Sequence, residues 1–284
     1  MGLRYVAVMN MSLIKFHIAN MTKRNEYKFS VLMLGVILTA MFTEECFYLR
    51  GIDQSCNISA ATGWCFYLDT YENQAGRIFV FVFFGFLASL MYSDFFMTEK
   101  QYRIFSISTV RSSGFQEYLR AGGIVIFVGV FLTYLCFFLF SQLLMFIVFP
   151  ADGHFVGHIN TPEYRVPITL DMGVFPELRY NFPYLHNLIF IFWSSIWAGI
   201  LALISFASSF FIKNRLVVLA VPQLFLLFLS LILPMKYQPI YQLYPGANYM
   251  GSSALGFFIL PLLLLSGAVA VIWNQTKKGK ELIL

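Results

Sequence analysis

Six long apolar runs constrain this chain more than any other feature of its sequence. They cover roughly residues 29–49, 77–97, 121–149, 186–212, 216–235 and 254–273. About 20 consecutive apolar residues cross roughly 30 Å of hydrocarbon as a helix. Backbone polar groups in lipid must be satisfied within the segment, and these runs lack the alternation of transmembrane strands. The sequence therefore predicts an all-α integral membrane protein with six transmembrane helices, the longer third and fourth being tilted or extended beyond the bilayer.

The composition excludes an ordinary soluble protein. Of the 284 residues, 59% are hydrophobic and 12% are charged, whereas roughly a quarter of a soluble domain is charged. The net charge of +5 is modest, and in a membrane protein it fits basic inside loops better than a nucleic-acid partner. We therefore expect membrane lipid, and no nucleic acid, around the chain.

Lysine and arginine placement predicts the orientation. With the N-terminus inside, 14 of the 19 basic residues fall in inside segments. The five on the outside are Arg50, Arg77, Arg165, Arg179 and Lys236. Because inside loops are enriched in Lys and Arg, we expect a multi-pass protein of the cell membrane with both termini cytoplasmic.

The chain is predicted to be one transmembrane domain, residues 1–284. Three parts lie outside the spans: a cytoplasmic interfacial segment at 1–28, a cytoplasmic segment at 98–120 and an outside insertion at 150–185. No Gly-rich phosphate loop, HExxH motif or nucleophile–histidine arrangement is visible, so we expect no catalytic residue, cofactor or metal in this chain. His17 and His186, near span ends, are interpreted as interfacial aromatic residues.

Three carboxylates lie close to predicted span ends. Glu44 and Glu45 are near the outer end of the first span, and Asp94 is near the inner end of the second. A carboxylate is costly in hydrocarbon but far less so near the interface. Two interpretations stay open: all three are satisfied at the headgroup level, or Glu44 and Glu45 line an outer gate while Asp94 braces the second helix.

The outside cysteines allow a disulfide. Cys56 and Cys65 are the pair we consider, and Cys46 would be left over. An outside compartment permits such bonds, but free thiols remain an equal alternative.

The connection between the second and third runs mixes aromatic, basic and apolar residues. Its sequence EKQYRIFSISTVRSSGFQEYLR, residues 99–120, predicts a short helix, a turn at Ser112–Gly114 and a second short helix on the inner surface. A solvated basic loop is the alternative. The large apolar residues favour contact with a membrane interface or with a socket on another protein.

The order of these features resembles the permease subunit of a type-2 ATP-binding-cassette exporter. That family has an amphipathic interfacial helix before its first span, six spans, and a cytoplasmic coupling element between the second and third. The N-terminal stretch MSLIKFHIANMTKRNEYKF is similar to the interfacial helix in kind. The coupling element is matched by Asp94, Ile104–Val110, Arg111-Ser112-Ser113 and Tyr118-Leu119-Arg120.

The resemblance implies a transporter subunit that is not an enzyme by itself. A separate cytosolic ATP-binding-cassette ATPase would hold ATP and Mg, and a second permease copy, identical or different, would complete the pathway. The cargo would be a hydrophobic or amphipathic peptide, lipid-linked compound or drug. The residues implied to couple the ATPase to the spans are Tyr102, Arg103, Phe105, Arg111 and Tyr118.

The outside insertion departs from the family, which usually connects the third and fourth spans briefly. Residues 150–185 carry several charges and could be a lid, a docking surface or a ligand-binding part. The alternative function is therefore a non-transporting sensor or immunity module that binds an extracellular ligand through 150–185.

Overall fold

The computed structural model describes residues 11–50, 59–61, 64, 74–101, 114–151, 174–234, 237–243 and 254–277. Within these ranges all regular secondary structure is helical and no strand occurs. The predicted all-α class is therefore confirmed. The predicted outside insertion lies mostly beyond the described ranges, as do residues 102–113 of the connection between the second and third runs.

The described residues form eleven α-helices and one π-helical segment. The first five helices are α1 (Met11–Lys23), α2 (Asn25–Arg50), α3 (Gln74–Ile78), α4 (Phe84–Leu90) and α5 (Phe95–Gln101). The π-helical segment, Phe79–Phe83, joins α3 to α4. The remaining helices are α6 (Phe115–Val148), α7 (Pro176–Asn181), α8 (Pro183–Ser208), α9 (Arg215–Ile232), α10 (Pro239–Gln242) and α11 (Ala254–Lys277).

Five of these helices are long and apolar enough to cross a membrane. They are α2, α6, α8, α9 and α11, and each overlaps one predicted apolar run. The number becomes six if the bent pair formed by residues 74–90 and 95–101 is one span. The structure thus supports a multi-pass membrane protein with five to six spans.

The second predicted span is not one continuous helix, which corrects the sequence prediction. A turn at residues 91–94 separates α4 from α5, and the two parts are bent by 50°. Within the turn, the Phe95 N–H bonds to the Tyr92 carbonyl at 3.1 Å, three residues back. No proline lies here. The polar side chains of Tyr92 and Asp94 instead bond to other helices, and such contacts compete with a regular helix.

The third membrane-length helix starts earlier than predicted. The sequence pattern placed a separate short helix before residue 121, but α6 runs without interruption for 34 residues from Phe115. At about 1.5 Å per residue its length is roughly 51 Å, well beyond a hydrocarbon core. Gly114 precedes it with φ of 141°, in a region that favours glycine, while Ser112 and Ser113 of the predicted turn lie outside the described ranges.

Helix α8 lies at the centre of the bundle. It packs against α4, α6, α9 and α11, and 67% of the residues in its most apolar 18-residue stretch are buried. Gly199 permits the closest approach, because a Cβ there would meet the Phe127 carbonyl oxygen of α6 at 3.1 Å. By contrast, less than a third of the residues in the most apolar stretches of α2, α9 and α11 is buried, so these helices expose much of their apolar surface.

Hydroxyl groups from neighbouring helices donate hydrogen bonds to two backbone carbonyls near a proline in α9. Pro222 has no N–H, so the Val218 carbonyl four residues earlier loses its helical donor. The Ser205 hydroxyl donates to Val218 O at 2.9 Å, and the Ser89 hydroxyl donates to Leu219 O at 2.7 Å. These two hydrogen bonds therefore connect α9 to α8 and α4.

Gln223 and Tyr134 hold the irregular backbone around the π-helical segment. The Gln223 side chain accepts from Gly85 N at 2.7 Å and donates to Phe81 O at 2.7 Å. Tyr134 donates its hydroxyl to Phe84 O at 2.7 Å. A π-helical turn leaves carbonyls without their normal α-helical donors, and side chains from α9 and α6 supply these donors.

Candidate functional site at the basic end of the bundle

Basic side chains of several helices meet at one end of the bundle, which we call the basic end. It contains the starts of α2, α6 and α9 and the ends of α5 and α11. Arg120 of α6 lies over the ring of Trp273 of α11 at 4.0 Å, and Lys277 lies 5.4 Å from the same ring. Arg24 and Arg215 lie near the starts of α2 and α9. All four cations belong to the group that the sequence places inside.

Asp94 is the centre of an ionic cluster at the basic end. Its side chain is 0% exposed. Arg24 Nη1 is 2.9 Å from Asp94 Oδ1, and Arg215 Nε is 2.5 Å from Asp94 Oδ2. Glu26 completes the cluster, with Oε1 at 2.5 Å from Arg215 Nη2 and Oε2 at 3.5 Å from Arg24 Nε. Two positive and two negative charges balance, as burial of charge requires.

The ionic cluster connects parts of the chain that are far apart in sequence. Arg24 is the single non-helical residue between α1 and α2, Asp94 lies in the turn before α5, and Arg215 begins α9. The separations from Asp94 are 70 and 121 residues. Of the two interpretations of Asp94, these contacts favour a brace that fixes the second span to the first and fifth.

His17 forms a second buried polar centre beside this cluster. It is 0% exposed, with Nδ1 at 2.9 Å from the Tyr92 hydroxyl and Nε2 at 3.2 Å from the Tyr118 carbonyl oxygen. A carbonyl only accepts, so Nε2 carries the hydrogen and Nδ1 accepts from Tyr92. Burial lowers the pKa of His17 to about 4, partly opposed by the bond to Tyr118. His17 is therefore a neutral core residue, not the interfacial aromatic residue that the sequence interpretation made it.

A hydrogen bond joins the two ends of the connection between α5 and α6. The Tyr118 hydroxyl donates to the two carboxylate oxygens of Glu99, at 2.7 and 2.8 Å. Tyr118 is 1% exposed, so its side chain links helices within the chain. Its predicted role in coupling to an ATPase stays a prediction. The other predicted coupling residues, Tyr102, Arg103, Phe105 and Arg111, lie outside the described ranges.

Glu44 and Glu45 lie at the opposite end of the bundle. The Glu44 carboxylate accepts from Gln74 N at 2.9 Å and from Ala75 N at 2.8 Å. It thus caps the N-terminus of α3, where unpaired N–H groups and the helix dipole favour a negative charge. Glu45 is 2% exposed. For Glu44, the contacts favour a structural cap over an outer gate.

Neutral amides complete the opposite end. Gln142 donates to Ala60 O at 2.7 Å, and Asn187 donates to Ala61 O and to Gln142 Oε1, both at 2.9 Å. Ala60 and Ala61 are fully buried. We call Ala60, Ala61, Gln142 and Asn187 the amide cluster. Through it, α6 and α8 hold part of the connection between α2 and α3.

The cysteine and metal predictions have the following outcome. Cys56 and Cys65 lie outside the described ranges, so their disulfide stays a prediction. Cys46 and Cys136 are free thiols. In the part of the chain that the structure describes, no three His, Cys, Asp or Glu side chains come together as a metal site would require.

Sequence reasoning singled out Asp94 but missed its partners. Arg24 and Arg215 appeared only as members of the count of basic residues, Glu26 was not considered, and His17 and Glu99 had no assigned contact. One signal could have found the arginines: both lie at predicted inner span ends, at the same depth as Asp94. A carboxylate near that depth is stabilised by a positively charged side chain beside it.

Comparisons of the chain with protein-family models, curated proteins and solved structures gave no match. The function proposed next therefore rests on the sequence and the geometry of this chain.

Proposed function

We propose that the chain is the membrane-spanning permease subunit of an ATP-binding-cassette exporter. A separate cytosolic ATPase would hold ATP and Mg and hydrolyse the nucleotide, and the cargo would be hydrophobic or amphipathic. One observation carries the proposal. The two helices that flank segment 102–113, where the coupling contacts are expected, are joined by a hydrogen bond from Tyr118 of α6 to Glu99 of α5.

The contacts around this bond give the segment a mechanical connection to several spans. The Tyr118 carbonyl accepts from His17 of α1, and Glu99 lies in α5, which directly follows the turn containing Asp94. Asp94 is in turn paired with Arg24 and Arg215. A partner that pushed on 102–113 would therefore act on α1, α2, α5, α6 and α9 together, as coupling to ATP hydrolysis requires.

Helix α1 supports the proposal as an interfacial helix. It exposes Met11, Phe16 and Ile18 together with basic side chains, while His17 and Met21 are buried in the bundle. A helix with one apolar face in contact with the bundle and further apolar residues beside lysines suits the membrane–water boundary. We propose that α1 lies there, on the cytoplasmic side.

The proposed topology has six spans in one transmembrane domain, with both termini cytoplasmic. The bent pair is its second span. The Asp, Glu, Lys, Arg and His residues of the membrane-length helices all lie near helix ends, which supports a route without a buried proton relay. The weakly buried helices α2, α9 and α11 leave room for a second permease copy, identical or different.

Co-purification tests the proposal directly. A tagged chain should bring down a stoichiometric ATPase from the membrane of its own host. Phe105→Ala and Arg111→Glu should weaken this association about tenfold or more, because interface energy concentrates in a few aromatic and arginine anchors. Phe140→Ala is the matched control, since that side chain is 55% exposed on α6, away from the segment. A chain that brings down no ATPase would contradict the exporter proposal.

A second experiment tests the mechanical connection. Tyr118→Phe removes only the hydroxyl that bonds to Glu99. We expect the ATPase still to associate, while cargo-stimulated ATP hydrolysis falls. Phe would keep the aromatic packing around His17, so loss of the fold would not account for the result. Unchanged stimulation in a correctly assembled complex would show that the bond does not transmit coupling.

A further inference from the structure

Two cations share one aromatic ring where α6 and α11 meet at the basic end. The guanidinium carbon of Arg120 lies 4.0 Å from the centroid of the Trp273 ring, and Lys277 Nζ lies 5.4 Å from a ring centroid of the same side chain. We call Arg120, Trp273 and Lys277 the cation–π cluster. Each cation is attracted to the ring, but the contacts leave both positive charges in place. Two like charges held close together favour an anion beside them.

Neither cation of this cluster is neutralised in the part of the chain that the structure describes. Arg120 and Lys277 take part in none of the ion pairs between described residues. Arg120 is half-buried, and its Nε is enclosed without a hydrogen-bond partner among those residues. A guanidinium that stacks on an aromatic ring keeps its planar set of N–H donors, which fits the oxygens of a phosphate. The cluster thus offers an anion both net charge and directed donors.

Exposed apolar side chains continue from the cluster along both helices. Ile124 lies one turn beyond Arg120 on α6, and Val269 lies one turn before Trp273 on α11. Residues four apart share one face of a helix. Ile124 is 39% exposed, Val269 48% and Trp273 46%. Tryptophan favours the boundary between headgroups and hydrocarbon, so the cluster suits the level of lipid headgroups, with an apolar surface next to it.

We infer that the cation–π cluster binds an anionic phospholipid, with the phosphate against Arg120 and Lys277 and an acyl chain along Ile124 and Val269. The charge pattern of the sequence predicts that this end of the bundle faces the cytoplasmic leaflet, whose surface is negatively charged. Basic sites between membrane helices on that side suit lipid headgroups. A zwitterionic lipid would bring a further cation to the two already present, so a lipid with net negative charge is preferred. The inference does not depend on the exporter proposal, because it uses only the cluster and the predicted orientation.

A lipid titration tests the inference. The purified chain in neutral detergent would be titrated separately with phosphatidylglycerol, phosphatidylcholine and inorganic phosphate. The readouts are the thermal unfolding midpoint and the lipid retained in native mass spectrometry. We expect phosphatidylglycerol to raise the midpoint and to stay bound. Phosphatidylcholine should bind about tenfold more weakly, and inorganic phosphate should have no effect at the same concentrations.

Paired variants locate the site. Lys277→Gln should weaken phosphatidylglycerol binding about tenfold, the loss of one charge-assisted contact. Lys277 is exposed in the last turn of α11, so this variant should fold normally. Lys28→Gln removes one exposed charge at the same end of the bundle, on α2, and should leave binding unchanged.

The aromatic ring has a matched pair of its own. Trp273→Phe keeps a ring for the two cations and should retain most of the phosphatidylglycerol binding. Trp273→Leu keeps an apolar side chain but no ring, and should weaken binding several-fold because Arg120 loses the contact that positions it.

Four results would overturn the inference. Equal binding of the two lipids by the unaltered chain would show that net charge is not recognised. Equal losses in Lys277→Gln and Lys28→Gln would show a general attraction to the basic end. Unchanged lipid retention in both Lys277→Gln and Trp273→Leu would place the lipid elsewhere. A midpoint raised as much by inorganic phosphate as by phosphatidylglycerol would identify a site for a soluble anion.

Discussion

The two ends of the bundle bury polar groups in different ways. At the basic end, Asp94 is held by Arg24 and Arg215, so opposite charges satisfy one another across three parts of the chain. At the opposite end, the side chains of Gln142 and Asn187 bond to backbone carbonyls and to each other without any charge. The ionic cluster thus satisfies buried polar groups with opposite charges, whereas the amide cluster does so with neutral groups.

The difference has consequences for stability. Removing one member of a buried ion pair leaves a charge with no partner, which costs about 3–5 kcal/mol. Removing a neutral donor leaves an unsatisfied carbonyl, which costs about 1–3 kcal/mol. The basic end should therefore be more sensitive to single substitutions and to pH. The proposed coupling segment is attached at this more sensitive end.

The largest effect is expected for Asp94→Asn. The substitution keeps the size of the side chain but leaves Arg24 and Arg215 without their buried anion. We expect a loss of about 3–5 kcal/mol in the free energy of unfolding, measured by equilibrium unfolding in mixed detergent micelles. Because Arg215 retains Glu26, the value should lie toward the lower limit.

A double-mutant cycle sharpens this result. Asp94→Asn combined with Arg215→Gln should cost less than the sum of the two single substitutions, because the second removes a cation that the first deprived of one of its two carboxylate partners. Glu177→Gln, at an exposed carboxylate near the start of α7, is the control and should change stability little. If Asp94→Asn cost no more than this control, the ionic cluster would not stabilise the basic end.

The apolar spans were predictable from the sequence because they follow from a physical necessity. A helix that crosses a membrane needs about 20 consecutive apolar residues, and this requirement is local. The predicted turn at Ser112–Gly114 lies mostly outside the described ranges, but Gly114, just before α6, has the positive φ that glycine accepts.

The contacts between spans were not predictable in the same way. Asp94 lies 121 residues from Arg215 and His17 lies 101 residues from Tyr118, and no periodicity records such pairs. No proline or glycine marks the break of the second span in the sequence. The break instead accompanies tertiary contacts of Tyr92 and Asp94. The sequence thus specified where polar residues lie along the chain, while the packing of helices decided which of them meet.

His17 should make the basic end sensitive to pH. Its pKa is about 6.5 in the unfolded chain and about 4 in the folded protein, because burial disfavours the charged form. The unfolded chain therefore binds a proton first as the pH falls. Stability is fully present above pH 6.5 and decreases toward pH 4, with a loss of about 3 kcal/mol at 1.36 kcal/mol per pKa unit.

The matched variant for this prediction is His17→Gln. A glutamine can donate and accept as the neutral imidazole does, but it does not titrate. The unfolding free energy of this variant should be nearly constant between about pH 7.5 and about 5.5, where the imidazole of His17 in the unfolded chain begins to bind a proton and most carboxylates are still ionised. The same pH slope in the variant and the unaltered chain would show that another group causes the effect.

A smaller effect is expected in the amide cluster. Asn187→Leu removes the donor to Ala61 O and Gln142 Oε1, leaving buried acceptors unsatisfied. We expect a loss of about 2 kcal/mol, with no dependence on pH between 4.5 and 8 because no charge is involved. Unfolding measured at both pH values checks this. A loss larger than that of Asp94→Asn would reverse the proposed ranking of the two ends.

The smallest effect is expected for Glu44. Among the described residues at the opposite end, it is the only charged group that makes a capping contact. Its carboxylate accepts from Gln74 N and Ala75 N at the start of α3, so Glu44→Gln keeps one acceptor oxygen but removes the negative charge. We expect a loss of about 1 kcal/mol, the usual value of a helix cap and its interaction with the dipole. Because a cap acts through local structure, Glu44→Gln should leave export of any cargo unchanged once stability is restored by lower temperature. An export defect in a stably folded Glu44→Gln protein would instead support the gate interpretation and contradict a purely capping role.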